Sequence, residues 1–373
     1  MEINKNKEIS NRNTTLDLIR IFACFCVISF HFFLNNGFNY QPVIGKRMFL
    51  MVCIRSFFKV CVPLFVILSG YLEKDKILCK TYYTKLIKVI GIYILSNIAI
   101  YIYQIFYLKQ DLSLKALFVE TFNYFNYAWY IEMYIGLVLL IPFLNILYRS
   151  LTKKQEKQCL IFILCLITSL PGIINVYNIN EASWWLHPTQ SYLYQKIIPG
   201  WWLDIWPITY YFIGCYIKDY SIKLKKTLNI LYIFILTFLY GTYCYWRSHE
   251  VNFIWGVWQD WGSLPNLMLA VLVFIFILNI KMDGCPRWCK LILKHCSDAC
   301  LGAYLVSYIF DNMFYAKLNA LITYMPQRLN YYFIMVGSVF ICSMALSMVL
   351  SIVYNGLVKL VLILGKSWHF KQN

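Results

Sequence analysis

The chain is 373 residues long, 60% of them apolar and only 14% charged. Soluble domains are about 45–50% apolar and about 25% charged, so an ordinary soluble enzyme is excluded. A net charge of +17 would suggest nucleic acid in a soluble protein. Here the basic residues sit in short loops between apolar runs, where they orient helices and face anionic lipid, so no nucleic-acid partner is expected.

Ten apolar runs lie at 16–34, 49–71, 86–107, 127–147, 159–177, 201–217, 228–246, 264–280, 295–314 and 331–353. Crossing a hydrocarbon core takes roughly 20 helical residues. With the N-terminus in the cytoplasm, 24 of the 34 Lys and Arg fall inside: up to Arg20, in 74–88, 149–157, 218–226 and 281–294, and in the tail. Cytoplasmic loops carry such an excess. The expected fold is all-α: a multi-pass protein of the cytoplasmic membrane with about ten transmembrane helices and both termini cytoplasmic. Residues 1–373 are read as a single integral domain with cytoplasmic tails at about 1–15 and 354–373. The first run is too long for a signal-peptide core and lacks a small-residue cleavage site, so no cleavable signal is expected.

An ionisable group in lipid is costly and therefore marks function by default. Span one carries Asp17, Arg20 and His31. Eleven residues separate Arg20 from His31, a rotation of about 1100°, so both project from one helix face about 16 Å apart. Asp17 precedes Arg20 by three and can pair with it. This polar stripe runs from the cytosol past the midplane. A bland alternative has His31 satisfied by a neighbouring carbonyl and Arg20 as an anchor, but the shared stripe favours function. Span two holds Arg55 and Lys59, one turn apart, ahead of Pro63. Span three opens with Lys85 and Lys88, which serve topology or bind anions. Span four begins Ala128-Trp129-Tyr130 and carries Glu132, a carboxylate expected to orient His31 or pair with Lys59.

Ten of the 12 Trp lie on the outer side. They concentrate in the loop 178–200, at Trp201, Trp202 and Trp206 just after it, and in the loop 247–263. An interfacial belt and sugar-stacking faces both account for them, although a belt should populate both interfaces. The stretch 331–364 is too long for one straight span and is expected to cross by about residue 353 and continue along the inner surface. Gly365-Lys366-Ser367 is not a P-loop, because Leu360 stands where its first Gly belongs. Most of the 14 Cys lie in spans or inner segments, so no disulfide framework is expected. Cys285, Cys289 and His295 match no standard zinc spacing, and no metal is expected.

These residues resemble the acyltransferase-3 family of polytopic membrane acyltransferases. The family opens with an Arg and a His on its first helix with ten residues between them, matched by Arg20 and His31. A Val-Pro-Leu-Phe segment ending in Ser-Gly-Tyr is matched by Val62 to Tyr71. The family's Arg-x-x-Arg pair is Lys85 and Lys88 here, which keeps charge but loses bidentate phosphate geometry. The entry Ala128-Trp129-Tyr130, the segment Pro207 to Gly214, and Leu301 to Leu305 also look familial. Many members carry a His where this chain has Ser307, so that position is given no catalytic role.

The resemblance implies an acyl-CoA-dependent O-acyltransferase. It would move an acyl group, usually acetyl, from cytoplasmic acetyl-CoA to a hydroxyl of a cell-surface glycan or its lipid-linked precursor. Arg20, Lys85 and Lys88, with Asp17 beside them, would hold the CoA phosphates. His31 would act as general base or transient acyl carrier, with Glu132 as its catalytic partner. Lys59, Trp129 and Trp202 would bind the saccharide. The competing reading is a transporter or flippase of a lipid-linked sugar or small solute, with breaks at Pro63 and Pro207.

Overall fold

The computed structural model describes residues 13–122, 127–186, 188, 194–282 and 284–369. Helix α1 (Thr14–Asn35) starts where the Asn13 side chain accepts the Thr15 amide at 3.0 Å, and Asp17 in its first turn complements the helix dipole. The second apolar run folds as two helices, α2 (Gly45–Phe58) and α3 (Cys61–Glu73), with the break at Lys59 and Val60. Pro63 has no N–H to offer the Lys59 carbonyl, so a continuous helix would lose that bond. There follow α4 (Lys80–Phe106), short α5 (Leu114–Phe122), α6 (Trp129–Ser150) and α7 (Lys154–Thr168). Two short outer helices, α8 (Pro171–Ile174) and α9 (Ala182–Leu186), lead towards α10 (Trp206–Tyr220). Helices α11 (Lys226–Arg247), α12 (Leu264–Leu278), α13 (Arg287–Leu321) and α14 (Tyr332–His369) complete the chain. Among the described residues there is no strand, only isolated bridges joining 42–43 to 249–252.

Among the described residues, eight segments are long and apolar enough to cross a membrane: Thr14–Tyr40, Gly45–Glu73, Lys80–Phe106, Trp129–Ser150, Lys154–Ile174, Lys226–Arg247, Val257–Leu278 and Met325–Ile363. The protein is thus an all-α polytopic membrane protein. The other two expected spans fall in α10 and α13. Helix α10 has 15 residues, below the roughly 17–25 of a usual span. Helix α13 has 35 and carries charges at both ends. Helix α14 runs unbroken past Asn355 and Gly356, 38 residues in all, which at 1.5 Å per residue is about 57 Å and far exceeds the hydrocarbon thickness. Large apolar side chains point outward on the spanning helices, with Phe162 66%, Phe234 69% and Ile341 69% exposed. Lipid is the solvent that makes such exposure favourable.

Helix α1 sits centrally, against α2, α3, α12, α13 and α14. Helices α3 and α10 pack backbone to backbone. A Cβ on Gly70 would lie 2.0 Å from the Tyr211 carbonyl oxygen, and one on Gly214 would lie 2.1 Å from that of Ile67. Small residues permit this approach where no hydrophobic force drives helices together. Two motifs of the sequence, Val62 to Tyr71 and Pro207 to Gly214, are therefore the two faces of one contact. Asn145 of α6 closes the inner end. Its amide donates to the Glu73 and Lys76 carbonyls at 2.8 Å each, and its oxygen accepts from the Tyr211 hydroxyl at 2.6 Å.

Beyond the Asn145 end of this contact lies an ion cluster. Lys74 reaches Asp219 at 2.6 Å and Asp75 at 3.2 Å, Lys157 reaches Asp219 at 2.8 Å, and Lys218 reaches Asp75 at 3.1 Å. Burial alone would raise the Asp219 carboxyl, but hydrogen bonds from Lys157 and Lys74 outweigh it and hold the group below its ordinary value. Lys74 is lowered by burial and raised more strongly by Asp219 and Asp75, ending above its ordinary value.

Candidate active site

A cavity of about 670 Å³ runs beside α1 and is lined by residues along that helix from Asp17 near its start to Leu34 at its end. Asp17, Arg20 and His31 all border it, so the stripe expected on the first helix is one wall of a single chamber. The 3.6-residue period of α1 produces this alignment.

At the inner mouth, Arg20 Nη1 donates to Asp17 Oδ1 at 3.3 Å and to the Ser297 hydroxyl. Lys85 and Lys88 also line the mouth, with Glu73 and Asp298. Lys85 is not an open cation: its ammonium bonds to Glu73 Oε2, which also accepts from the Tyr82 hydroxyl at 3.0 Å. Lys88 is exposed and makes no ion pair among the described residues. The mouth thus presents three cations and three carboxylates to one space.

His31 lies deeper, its side chain 10% exposed. The described contacts of its ring converge on Nδ1. Tyr127 Oη is 2.6 Å away and Asp311 Oδ2 is 3.3 Å away. The Tyr127 hydroxyl donates to Asp311 Oδ2. Its one proton being spent there, the phenol oxygen can only accept from His31, which places the imidazole hydrogen on Nδ1 and leaves a lone pair on Nε2. Ser307 Oγ lies 3.2 Å from Tyr127 Oη and donates to the Tyr304 carbonyl at 2.7 Å. The Tyr304 hydroxyl in turn holds the Tyr127 carbonyl. A base oriented by a hydrogen-bonded acid is the arrangement that deprotonates a hydroxyl or itself attacks a carbonyl.

Aromatic rings wall the outer end. Trp129 and Trp261 lie 5.3 Å apart at 32°, and Trp255 meets Phe30 edge-on at 5.9 Å. All four border the cavity.

Two expected residues, Glu132 and Trp202, stand away from the cavity, and a third, Lys59, is set back behind its wall. Glu132 is exposed on α6 and absent from the cavity lining. It neither orients His31 nor pairs with Lys59, because its helical position turns it away from the wall formed by Trp129 and Tyr130. Asp311 occupies the place Glu132 was expected to fill. Trp202 is 56% exposed and outside the lining. Lys59 lies behind the aromatic wall, its Nζ 4.5 Å from the Trp255 ring centre and 5.1 Å from that of Trp261.

Asp311 and Tyr127 escaped the sequence reading. The cost of a carboxylate inside an apolar run flags Asp311 as surely as it flags His31. Tyr127 gives no such signal, being one of 31 Tyr. Among the described residues, no group of three His, Cys, Asp or Glu is placed to hold a metal ion.

Neither a curated protein nor a solved structure matches the chain. Residues 13–353 match the family model described as an acyltransferase domain, a range that takes in every residue lining the cavity. With nearly its whole length so matched, the chain belongs to the acyltransferase-3 family.

Proposed function

We propose that this membrane acyltransferase moves an acetyl group from cytoplasmic acetyl-CoA to a hydroxyl of a cell-surface glycan or its lipid-linked precursor. The observation that carries the reading is the single chamber of about 670 Å³ joining Arg20, Lys85 and Lys88 at one end to Trp129, Trp255 and Trp261 at the other, with His31 between. Donor phosphates suit the cationic mouth. Saccharide rings suit the aromatic end.

In this reading the thioester lies beside His31. Nε2 takes the proton of the acceptor hydroxyl, the oxygen attacks the thioester carbonyl, and the C–S bond breaks. The departing CoA thiolate then takes the proton from Nε2. The same lone pair can attack first, breaking the C–S bond to give an Nε2-acyl-imidazole and CoA thiolate; the thiolate then takes the acceptor hydroxyl's proton as its oxygen attacks the acyl carbon and returns the lone pair to Nε2. In both routes Asp311, through Tyr127, holds Nδ1–H and stabilises the positive charge that develops on the ring.

Purified full-length protein incubated with radiolabelled acetyl-CoA tests this, beside His31→Ala. Wild type should release CoA and His31→Ala should lose at least about a hundredfold in rate. Label retained on the protein identifies the acyl-imidazole route. Equal release from both proteins would remove His31 from the chemistry.

A further inference from the structure

The break between α2 and α3 places two cations in the protein interior. Arg55 is 1% exposed and Lys59 is fully buried. Neither makes an ion pair among the described residues. Arg55 donates once, from Nη1 to Gln259 Oε1 at 3.2 Å. Arg55 Nε and Nη2, Lys59 Nζ and Gln259 Nε2 are all buried without a hydrogen-bond partner. Asp260 acts on Lys59 through space but does not bond to it. Rings cover the pair instead. The Arg55 guanidinium lies 4.2 Å from the Phe253 ring centre and 4.5 Å from that of Trp255, and Lys59 shares Trp255 at 4.5 Å.

Cation–π contact returns only part of what burying a charge costs, and it leaves N–H donors unsatisfied. Four such donors on three neighbouring side chains amount to an unfilled anion site. Trp255 is its cover. It spans both cations on one side, lines the cavity on the other, and is 46% exposed. It stands in an irregular segment, next to Gly256, where a Cβ would come within 2.2 Å of the Trp258 ring.

We infer that Arg55, Lys59 and Gln259 bind an anionic group of the acceptor, a phosphate or carboxylate, when Trp255 swings aside at the outer end of the cavity. This rests on the acyl-transfer reading for the identity of the ligand as acceptor. The acceptor is therefore a charged species: a polyprenyl-diphosphate-linked saccharide or an acidic sugar. Charge-assisted hydrogen bonds to three side chains would fix its register, and Trp129 and Trp261 would then stack its neutral rings.

The test uses full-length protein in discs of zwitterionic lipid. Farnesyl diphosphate is compared with farnesol, and methyl glucuronide with methyl glucoside, by calorimetric titration. One anionic probe should bind at least about tenfold more tightly than its neutral counterpart, and which one does so identifies the source of the charge. Lys59→Met and Arg55→Gln should abolish that preference, while Lys59→Arg keeps it. Lys59→Met should also unfold at a higher temperature than wild type, since an apolar side chain of similar size relieves an unpaired buried charge. Equal affinities for both members of each pair, no binding of any probe, or a preference surviving in Lys59→Met and Arg55→Gln would overturn the inference. His31-dependent CoA release, followed in the same preparations, separates its failure from that of the acyl-transfer reading.

Discussion

Replacing Asp311 by Asn is the sharpest probe of the relay behind His31. Asp311 Oδ2 lies 3.3 Å from His31 Nδ1. If the ring takes a proton during transfer, the two charges attract by about 332/(20 × 3.3), or about 5 kcal/mol at an effective dielectric of 20. Asparagine removes that attraction. It also offers an N–H to the Tyr127 oxygen, which frees the phenol proton to point at Nδ1 and moves the imidazole hydrogen to Nε2. Both effects act on the charged transition state and neither touches the donor mouth. The rate of acetyl transfer should fall by about 10³–10⁴-fold, with KM for acetyl-CoA changed less than about twofold. Tyr127→Phe keeps the charge and cuts only the relay, so it should lose about 10–100-fold. The assay is thiol release from acetyl-CoA by each purified variant, with thermal unfolding as a control for folding. A folded Asp311→Asn protein within about fivefold of wild type would refute the relay.

Other outcomes follow from the same geometry. Glu73→Gln releases Lys85 from its carboxylate partner, so KM for acetyl-CoA should fall severalfold, whereas Lys85→Ala with Lys88→Ala should raise it; initial-rate titrations decide both signs. Gly70→Ala drives a Cβ to 2.0 Å from the Tyr211 carbonyl oxygen and should destabilise the protein by more than about 2 kcal/mol, read as a lowered unfolding temperature in detergent. The Asp219 carboxyl is held below its ordinary value, so its contribution is present above the unfolded carboxylate's pKa and is lost as pH falls through the depressed folded one. Lys74 is held above its ordinary value, so its contribution is complete below the unfolded lysine's pKa and is lost as pH rises through the raised folded one. Thermal stability should therefore hold across the neutral range and fall at both extremes, and Asp219→Asn should flatten the acid side of that curve.

The membrane fold is legible in the sequence because the bilayer dictates it. Any apolar run of sufficient length must be helical there, its backbone having no water to satisfy it. The stripe on α1 is legible for an equally simple reason: two positions eleven apart share a helix face whatever else the chain does. Contacts between distant helices are another matter. Gly70 and Gly214 each announce a small residue, but only packing reveals that they face each other. Helix α14 shows both sides: its excess over one span is legible in residues 331–364, while its running on as one unbroken helix past Asn355 and Gly356 is not.

The candidate site divides along the same line. Glu132 and Asp311 were equivalent on cost grounds, each a carboxylate within an apolar run, and helical phase separates them. Asp311 lies four residues after Ser307, so the two share a face of α13, and that face meets α1. Glu132 comes three residues after Trp129, yet the wall uses Trp129 and Tyr130 while Glu132 turns outward. Lys85 was legible as a cation at the inner mouth, but not as one already held by Glu73, twelve residues earlier and on another helix. A lysine so held is not an empty phosphate site but one the donor must compete for. That competition gives the Glu73→Gln experiment its sign: a carboxylate that merely positioned Lys85 would weaken donor binding when removed, and one that occupies the donor's place would strengthen it.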